Sequence, residues 1–344
     1  MLISQIFSSI SHKGWDDFFE PSIDYTMYSN THQKLDANGD KSYYISFCYF
    51  ISLDVEGAIS IKDETYNNVK FLIDTSSFDK CGYHGPSGGT GSLCVNSENG
   101  ECVQDRICSF GSKSIFAGVY CSIKLSQTSV LKNYLIDSTI SSSSSNTYQG
   151  NGNIHLLYGE TNMKSINISN SKLNSLSSYD ISCRINSSVS LSTFSNNTSS
   201  GKEISYFGNY NGNFNFTISY CNYNDIKCDI FIWVNIYLYI INCSIYNNII
   251  NDLYFFQDNY QQFILVKGCY FDVSDPYTDG LVTITEGVDS TYPKNLHFPS
   301  SCSTESKPEV EITEPIQYQR HFKKIQRAQF LNVFENIWMS YLYR

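Results

Sequence analysis

The sequence predicts an all-β protein that folds as a right-handed parallel β-helix, and three observations lead to that fold class. Its 344 residues include 51 Ser and 32 Asn but only 4 Ala, a composition that disfavours helices and suits turns. Aromatic residues, which strands favour, make up 15% of the chain. A short apolar phrase also recurs along the chain, with strand periodicity inside it.

The recurring phrase joins an aliphatic residue, a few small polar residues and a closing large apolar residue, as in Ile73–Phe78 and Ile240–Ile245. Its closing residues, at spacings of 32, 30, 33, 21, 29, 22 and 26, are Phe78, Phe110, Ile140, Leu173, Phe194, Tyr223, Ile245 and Phe271. A repeat of about 20 to 35 residues, each unable to bury a core alone, is typical of a stacked solenoid. A β-sandwich or a β-propeller is the alternative, although propeller blades keep a steadier period of about 40 to 50 residues.

Strand periodicity is clearest where Phe214, Phe216 and Ile218 alternate with polar residues. Clusters of Ser, Asn and Gly, such as 141–146 and 208–213, predict tight turns between the strands. Parallel coils would satisfy the backbone hydrogen bonds of each strand with the coils above and below it.

Charge and hydropathy exclude two function classes. With 23 Lys and Arg against 33 Asp and Glu, the chain has a net charge of −10 and no basic footprint for nucleic acid. Its most apolar stretch, Ile230–Ile241, has 12 residues, whereas a membrane-spanning helix needs about 20. We expect a buried strand there and no transmembrane helix. The start, Met1–Trp15, lacks the basic and continuous apolar regions of a secretion leader.

Twelve cysteines occur without a Cys-x-x-Cys pair, and the 6 His residues are scattered, so the spacing disfavours a zinc site. We expect these cysteines to act as small hydrophobic residues that fill turn positions inside a β core. Disulfides stay open if the protein is secreted, and they would join members of the set Cys81, Cys94, Cys102, Cys108 and Cys121.

Two short motifs carry a resemblance to a known group of proteins. Residues 56–59 resemble a Gly-Gly-Ala-Ile phrase, with Glu56 in place of the first Gly, and residues 194–197 read Phe-x-x-Asn. Residues 245–248 and 78–81 are variants of the second motif, the latter with Cys81 in place of Asn. Alternating phrases of this type resemble the polymorphic outer membrane protein family, above all its β-helix surface proteins in anaerobic parasitic protists. The resemblance covers roughly residues 41–275.

The resemblance implies a pectin-lyase-like solenoid in which glycines permit tight turns and Phe or Cys stacks inside the coil. It also implies a location at the cell surface or outside the cell, where members often carry a leader and a membrane anchor. Glycosylation acceptors of the type Asn-x-Ser/Thr give independent support to that location, and they are Asn167, Asn186, Asn196, Asn197, Asn215 and Asn242.

Composition divides the chain into four parts. We expect an N-terminal cap at 1–40, the parallel β-helix at 41–290, an acidic Pro-containing linker at 291–316 and an amphipathic C-terminal α-helix at 317–344. Apolar residues recur there at helical spacing, and because the basic cluster on the first turns is short we expect the helix to dock on the solenoid or on a partner. Contact of 317–342 with an anionic membrane surface is the alternative.

Catalytic chemistry on this fold would need clustered acids, with a basic residue for polysaccharide lysis or a second carboxylate for hydrolysis. The acids of the repeat region share no coil position in the sequence, and they are Asp180, Asp225, Asp229, Asp252, Asp258 and Asp272. We therefore assign no catalytic, cofactor-binding or metal-binding residue, and we expect no cofactor.

Other candidates are weaker. Residues 36–40 begin like a calcium-binding loop, but Lys41 and Phe47 occupy the positions of the turn Gly and the bidentate Glu. Residues 85–91 are rich in Gly but lack the Lys of a phosphate-binding loop, and His84 beside them has no partner in sequence. A tyrosine-rich face for carbohydrate or protein is an alternative to ordinary strand preference, and its members are Tyr220, Tyr223, Tyr237 and Tyr239.

The sequence thus predicts a non-enzymatic surface or secreted β-helix protein for adhesion to, or interaction with, host or matrix glycans or proteins. A carbohydrate-active enzyme on the same fold, either a polysaccharide lyase or a glycoside hydrolase, is the first alternative. A truncated structural remnant is the second alternative.

Overall fold

Parallel strands dominate the computed structural model, which describes residues 13–37, 41–53, 57–63, 68–83, 91–97, 99–114, 118–125, 131–144, 152–174, 178–183, 185–200, 203–208, 214–257, 263–273, 276–285 and 287. They form sheets of 11, 9 and 12 strands and a further pair of short strands. All of the strand pairings described are parallel, including those between Tyr25–Ser29 and Ser42–Ser46. The fold is therefore an all-β parallel solenoid, and this part of the prediction is confirmed.

The first sheet contains, in spatial order, β1 (Tyr25–Ser29), β3 (Ser42–Ser46), β6 (Lys70–Asp74), β10 (Glu101–Asp105), β14 (Lys132–Ile136), β17 (Glu160–Lys164), β21 (Ser187–Ser190), β25 (Asn215–Ser219), β28 (Tyr237–Ile241), β31 (Ile264–Lys267) and β34 (Val282–Thr285). The second contains β4 (Tyr49–Ile51), β7 (Ser77–Asp79), β11 (Cys108–Phe110), β15 (Thr139–Ser141), β18 (Asn167–Ser169), β22 (Thr193–Ser195), β26 (Asn222–Asn224), β29 (Ser244–Tyr246) and β32 (Tyr270–Phe271).

The third sheet contains β2 (Leu35–Ala37), β5 (Ile59–Asp63), β9 (Leu93–Ser97), β13 (Cys121–Lys124), β16 (Ile154–Leu157), β20 (Tyr179–Ser182), β24 (Glu203–Gly208), β27 (Lys227–Val234), β30 (Ile249–Gln257) and β33 (Thr278–Asp279), and β19 (Lys172–Leu173) and β23 (Thr198–Ser199) join it at β27. The pair of short strands is β8 (Gly82–Tyr83) and β12 (Lys113–Ser114). The apolar stretch 230–241, predicted as one buried strand, supplies two strands of different sheets, because the chain turns at Asn235 between them.

Inward side chains stack in columns along the solenoid. Each strand of the second sheet points its middle residue inward, so Phe50 lies against Phe78 at 5.2 Å and Phe194 against Tyr223 at 4.7 Å between ring centroids. Neighbouring members of this column are separated by 22 to 31 residues along the chain. The repeat length predicted from sequence is thus close to the observed coil length.

Two closing residues of the predicted repeat lie elsewhere. Ser109 and Ile168 occupy the inward column, whereas Phe110 faces outward and Leu173 belongs to β19 of the third sheet. Phe110 was predicted for this column because its neighbour Ser109, although fully buried, is small and polar.

Residues in the left-handed backbone conformation, with positive φ, form the two corners that flank the second sheet. The first corner precedes the second sheet, and its non-glycine members include Thr75 at φ 44° and Leu191 at φ 50°. The second corner follows that sheet and includes Asn170 and Asn196, at φ 56° and 51°. Asn tolerates this conformation, whereas a β-branched residue such as Thr75 is strained in it. The corners are therefore imposed by the coil rather than by local preference.

Serine and cysteine side chains satisfy the backbone directly after the first corner. Ser192 Oγ accepts a hydrogen bond from Ile166 N in the neighbouring coil at 3.1 Å and donates to Ser190 O at 2.8 Å. Cys243 Sγ repeats both contacts, with Cys221 N at 3.4 Å and Ile241 O. The expectation that cysteines fill turn positions of the core is met here, since Cys48, Cys221, Cys243 and Cys269 are buried at this position.

Asparagine performs the same task after the second corner. Asn197 Oδ1 accepts a hydrogen bond from Ser171 N at 3.0 Å, and its Nδ2 donates to Ile168 O at 3.0 Å. Asn248 repeats this pattern with Ile226 N at 2.9 Å and Tyr223 O. The Asn of the Phe-x-x-Asn motif is therefore a structural residue of the solenoid. One glycosylation acceptor, Asn197, is fully buried by this role.

The N-terminal segment packs on the side of the solenoid. A 3-10 turn at Trp15–Asp17 places Trp15 and Phe19 in a small cluster with outward-facing Tyr44, Leu72 and Val103 of the first sheet. Because residues 25–29 and 35–37 are already strands of the first and third sheets, part of the region predicted as a cap contributes to a coil. The predicted linker at 291–316 and the predicted helix at 317–344 lie outside the described residues.

Charged side chains of the solenoid hydrogen-bond to the N-terminal segment. Arg106 Nη2 pairs with Asp74 Oδ1 at 2.6 Å and donates to Lys13 O at 3.1 Å. Lys132 Nζ donates to Phe18 O at 2.5 Å. Asp105 pairs with Arg106 Nε at 3.1 Å. Burial raises the pKa of Asp105 to about 6. The outer face of the first sheet is thus already occupied over its early coils.

We predict that Ser192→Ala lowers the free energy of unfolding by about 1 to 2 kcal/mol, because Ile166 N would lose its buried acceptor. Ser192→Cys should cost less, since Cys fills this position in the next coils. Urea unfolding of the two variants measures the difference. Equal losses in both variants would show that the hydrogen bond at the corner is unimportant.

Candidate functional site

The acids selected from sequence fall into separate groups. Asp225 lies at the second corner, whereas Asp272 directly follows β32 and lies one position earlier in its coil. Both accept hydrogen bonds from Asn247, Asp225 from its side chain and Asp272 from its backbone. Asp229 Oδ1 accepts a hydrogen bond from Asn251 Nδ2 at 2.9 Å. Asp258 lies outside the described residues.

Asp180 belongs to a different arrangement, a line of outward-facing residues on consecutive strands of the third sheet. We call it the outer row, and it consists of Ser122, His155, Asp180, Tyr206, Trp233 and Phe256. The strands place these residues side by side because their buried neighbours, such as Ile232 and Val234 around Trp233, face the core. Parallel strands lie about 4.8 Å apart, so the row brings together residues more than 20 positions apart in sequence.

One end of the outer row is polar and titratable. Ser122 Oγ lies 2.9 Å from His155 Nδ1, and His155 Nε2 lies 3.5 Å from Asp180 Oδ2. Burial lowers the pKa of His155 to about 4, so the imidazole is neutral at pH 7. Burial, and to a lesser extent the charge of Glu203, raises the pKa of Asp180 to about 7. Shifted groups of this kind cluster at functional sites, although structural clusters show them too.

The other end of the outer row is aromatic. Ring centroids lie 5.9 Å apart between Tyr206 and Trp233 and 5.4 Å apart between Trp233 and Phe256, with steep interplanar angles of 87° and 74°. All three rings are partly exposed. Asn235 Nδ2 donates to Tyr206 Oη at 3.2 Å, which fixes that ring beside Trp233.

A second surface covers the middle of the second sheet, and we call it the polar face. Its residues flank the inward column of four consecutive strands and carry only hydroxyl or amide groups: Thr139, Ser141, Asn167, Ser169, Thr193, Ser195, Asn222 and Asn224. Beside it, Asn196 Nδ2 donates to Asn170 Oδ1 at 2.7 Å across the second corner. Thr139 and Asn222 are buried, and the partly exposed members of the face offer hydrogen bonds without a formal charge.

The tyrosine-rich face predicted from sequence does not form one surface. Tyr223 points into the core, where its hydroxyl lies 2.7 Å from that of Tyr179. Tyr237 and Tyr239 pack edge-on against Phe263 outside the first sheet, and Tyr220 is exposed at the first corner. The alternation of the strands separates these side chains, so ordinary strand preference explains them.

The remaining candidates divide between structural residues and parts of the chain that are not described. Gly57 of the Gly-Ala-Ile motif has φ 77°, and a side chain there would meet the carbonyl of Gly91. Asp36 pairs with Lys34 at 2.8 Å on the surface, while 38–40 and 84–90 lie outside the described residues. No group of three metal-ligating side chains is found among the residues that the structure describes.

Cys102 and Cys121, which belong to the set considered for pairing, are buried thiols rather than members of disulfides. Burial raises the pKa of Cys121 to about 12 and that of Cys102 further. Their thiols are therefore protonated and poorly nucleophilic at neutral pH.

Comparisons with models of known protein families, with curated proteins and with solved structures gave no match to this chain. Within the described ranges, no helix is long and apolar enough to cross a membrane. Function must therefore be inferred from the surfaces themselves.

We predict that Asp180 destabilises the fold as its proton is lost. Its carboxyl has a higher pKa in the folded chain than its ordinary 3.8, so the folded state binds more protons between about pH 4 and pH 7. Stability from this group is present at pH 4 and is lost as the pH rises to 7. Asp180→Asn should therefore be about 1 to 3 kcal/mol more stable, relative to wild type, at pH 8 than at pH 4.

Denaturant unfolding of wild type and variant at the two pH values measures this difference. Asp252→Asn, which removes an exposed carboxylate on strand β30 of the same sheet, is the control for the change of charge. A difference independent of pH for Asp180→Asn would contradict the burial of an ionisable carboxyl in the outer row.

Proposed function

We propose that this chain is a non-enzymatic β-helix protein of the cell surface or the extracellular space that binds glycans or proteins of a host or matrix. A parallel solenoid is the fold expected of such a surface protein, and the described residues form one. The motif resemblance to the polymorphic outer membrane protein family, and to its expansions in anaerobic parasitic protists, supports the location. Fold-level resemblance alone does not identify a function, so the argument depends on a surface.

The polar face is the observation that carries this proposal. Hydroxyl and amide groups recur there on strands spaced by about 4.8 Å and in fixed register. Each hydrogen bond to a ligand contributes little after exchange with water, about 0.5 to 1.5 kcal/mol. A repetitive ligand can form many of them at once. Sugars and polypeptide backbones both offer donors and acceptors at short intervals.

We predict that the double variant Ser169→Lys/Thr193→Lys binds immobilised matrix glycans or glycoproteins at least tenfold more weakly than wild type. Two long charged side chains would cover the polar face and would have to be desolvated on binding. Biolayer interferometry against a panel of immobilised matrix glycans and glycoproteins measures the effect. Lys substitutions at Ser188 and Thr217, which face outward from the first sheet, give a matched control.

Unchanged binding in the polar-face variant would locate the interaction elsewhere, and binding to no panel member would argue against the function. Export is tested separately by glycosidase treatment and surface proteolysis of the tagged chain in its own cell type. A mass decrease together with cleavage on intact cells is expected. A chain that is unglycosylated and fully protected would contradict the surface location.

A carbohydrate-active enzyme is the second candidate, and one specific observation favours it. Asp180 has a pKa of about 7, which suits a general acid at neutral pH, and the carboxylate of Glu203 contributes to that shift. If these two acids perform hydrolysis, the chain should release shorter products from neutral oligosaccharides, and Asp180→Asn should abolish that release. Chromatography of the reaction products tests this. Oligosaccharides that are bound and recovered intact would support the non-enzymatic function.

A further inference from the structure

We propose that the outer row is the binding platform for a neutral, extended carbohydrate chain that runs across strands β13 to β30. This inference rests on the proposed function, because it names one ligand class and one site for a binding protein. It concerns a different face from the polar face, so the two can fail separately.

The aromatic end supplies the apolar contacts. Tyr206, Trp233 and Phe256 repeat at 5.9 and 5.4 Å, close to the strand spacing and to the length of one sugar unit in an extended chain. The C–H face of a pyranose ring stacks on an aromatic ring, which buries apolar area while the sugar hydroxyls remain at the edge. The partial exposure of all three rings leaves area for this contact.

The polar end supplies hydrogen bonds in the same line. Ser122 and Asp180 flank the neutral His155. Only the edges of these groups reach the surface, with 14% of the His155 side chain and 12% of the Asp180 side chain exposed, and there they can hydrogen-bond to sugar hydroxyls. Asn235 Nδ2 donates to Tyr206 Oη at 3.2 Å, and Tyr206 lies between Asp180 of this polar end and Trp233. Sites for small polar ligands typically combine apolar rings with a few such groups.

The negative charge of the protein around the outer row favours a neutral ligand over an anionic one. Asp180 and Glu203 lie near the centre of the row, and the chain has a net charge of −10. A polyanionic chain would approach against this field, although the exposed Lys124 stands two residues beyond Ser122. A neutral polysaccharide does not meet this repulsion.

The mixed chemistry of the row also favours carbohydrate over a protein partner. A docking protein would cover the small part of the His155 and Asp180 side chains that is still exposed, 14% and 12%, and would leave it without hydrogen-bond partners. A sugar chain replaces the lost water with its own hydroxyl groups along the whole row.

Titration with cellohexaose and mannohexaose, followed by calorimetry and by tryptophan fluorescence, tests this assignment on the full chain. We expect at least one of the two to bind, and we expect Trp233→Ala to weaken that binding at least tenfold. Phe256→Ala should weaken it as well. Tyr246→Ala, which removes an outward-facing ring from the second sheet, is the matched control and should leave the affinity unchanged. Oligogalacturonate of the same length is the acidic comparison and should bind more weakly.

A second variant distinguishes a loss of binding from a loss of folding. Trp233→Phe keeps a ring between Tyr206 and Phe256, and its unfolding midpoint reports whether the strand is intact. Affinity reduced in a folded Trp233→Phe variant supports the platform. Equal affinities of wild type, Trp233→Ala and Phe256→Ala would overturn it while leaving the proposed function standing. Preference for oligogalacturonate, or a failure of both neutral probes to bind, would overturn it also.

Discussion

The constraint on which the rest of the structure depends is the hydrogen bonding of the backbone at the two corners of each coil. Between corners, the strands pair with the coils above and below. At a corner the chain turns, and the buried backbone N–H of the next residue bonds to a side chain of the adjacent coil instead. A buried N–H without an acceptor costs about 1 to 3 kcal/mol. Ser192, Cys243 and Asn197 supply that acceptor from a neighbouring coil. Shape and register along the whole solenoid follow from these repeated contacts.

Because the corners are fixed in this way, the exterior becomes a set of straight rows whose chemistry can differ from sheet to sheet. The first sheet uses its early rows to hold the N-terminal segment through Trp15 and Arg106. The second sheet presents hydroxyl and amide groups, and the third presents the outer row. Substitutions on these exteriors leave the core columns in place, so a solenoid can change what it binds without changing its fold.

The sequence was sufficient to predict the parallel solenoid, because alternation within strands and small polar residues at corners are both local signals. It was insufficient for the exact register, since Ser109 is a small residue in a column that otherwise contains large apolar ones. The outer row was missed for a different reason. Ser122 and His155 are 33 residues apart and belong to no motif. Aligning the coils on their corner residues, rather than on apolar anchors, is the signal that would have placed these residues in one line.

The geometry of a paired sheet also limits what the outer row can do. Ser122, His155 and Asp180 follow one another as a hydroxyl, an imidazole and a carboxyl, an order that nucleophilic enzymes use. Such enzymes also need hydrogen-bond donors aimed at the developing oxyanion, and backbone N–H groups commonly supply them. Strand β13, which carries Ser122, pairs on both sides with β9 and β16, so its backbone donors are used within the sheet. The same three side chains are fully suited to hydrogen-bonding a ligand that they do not attack, and this is why binding, rather than acyl transfer, is the function that the row favours.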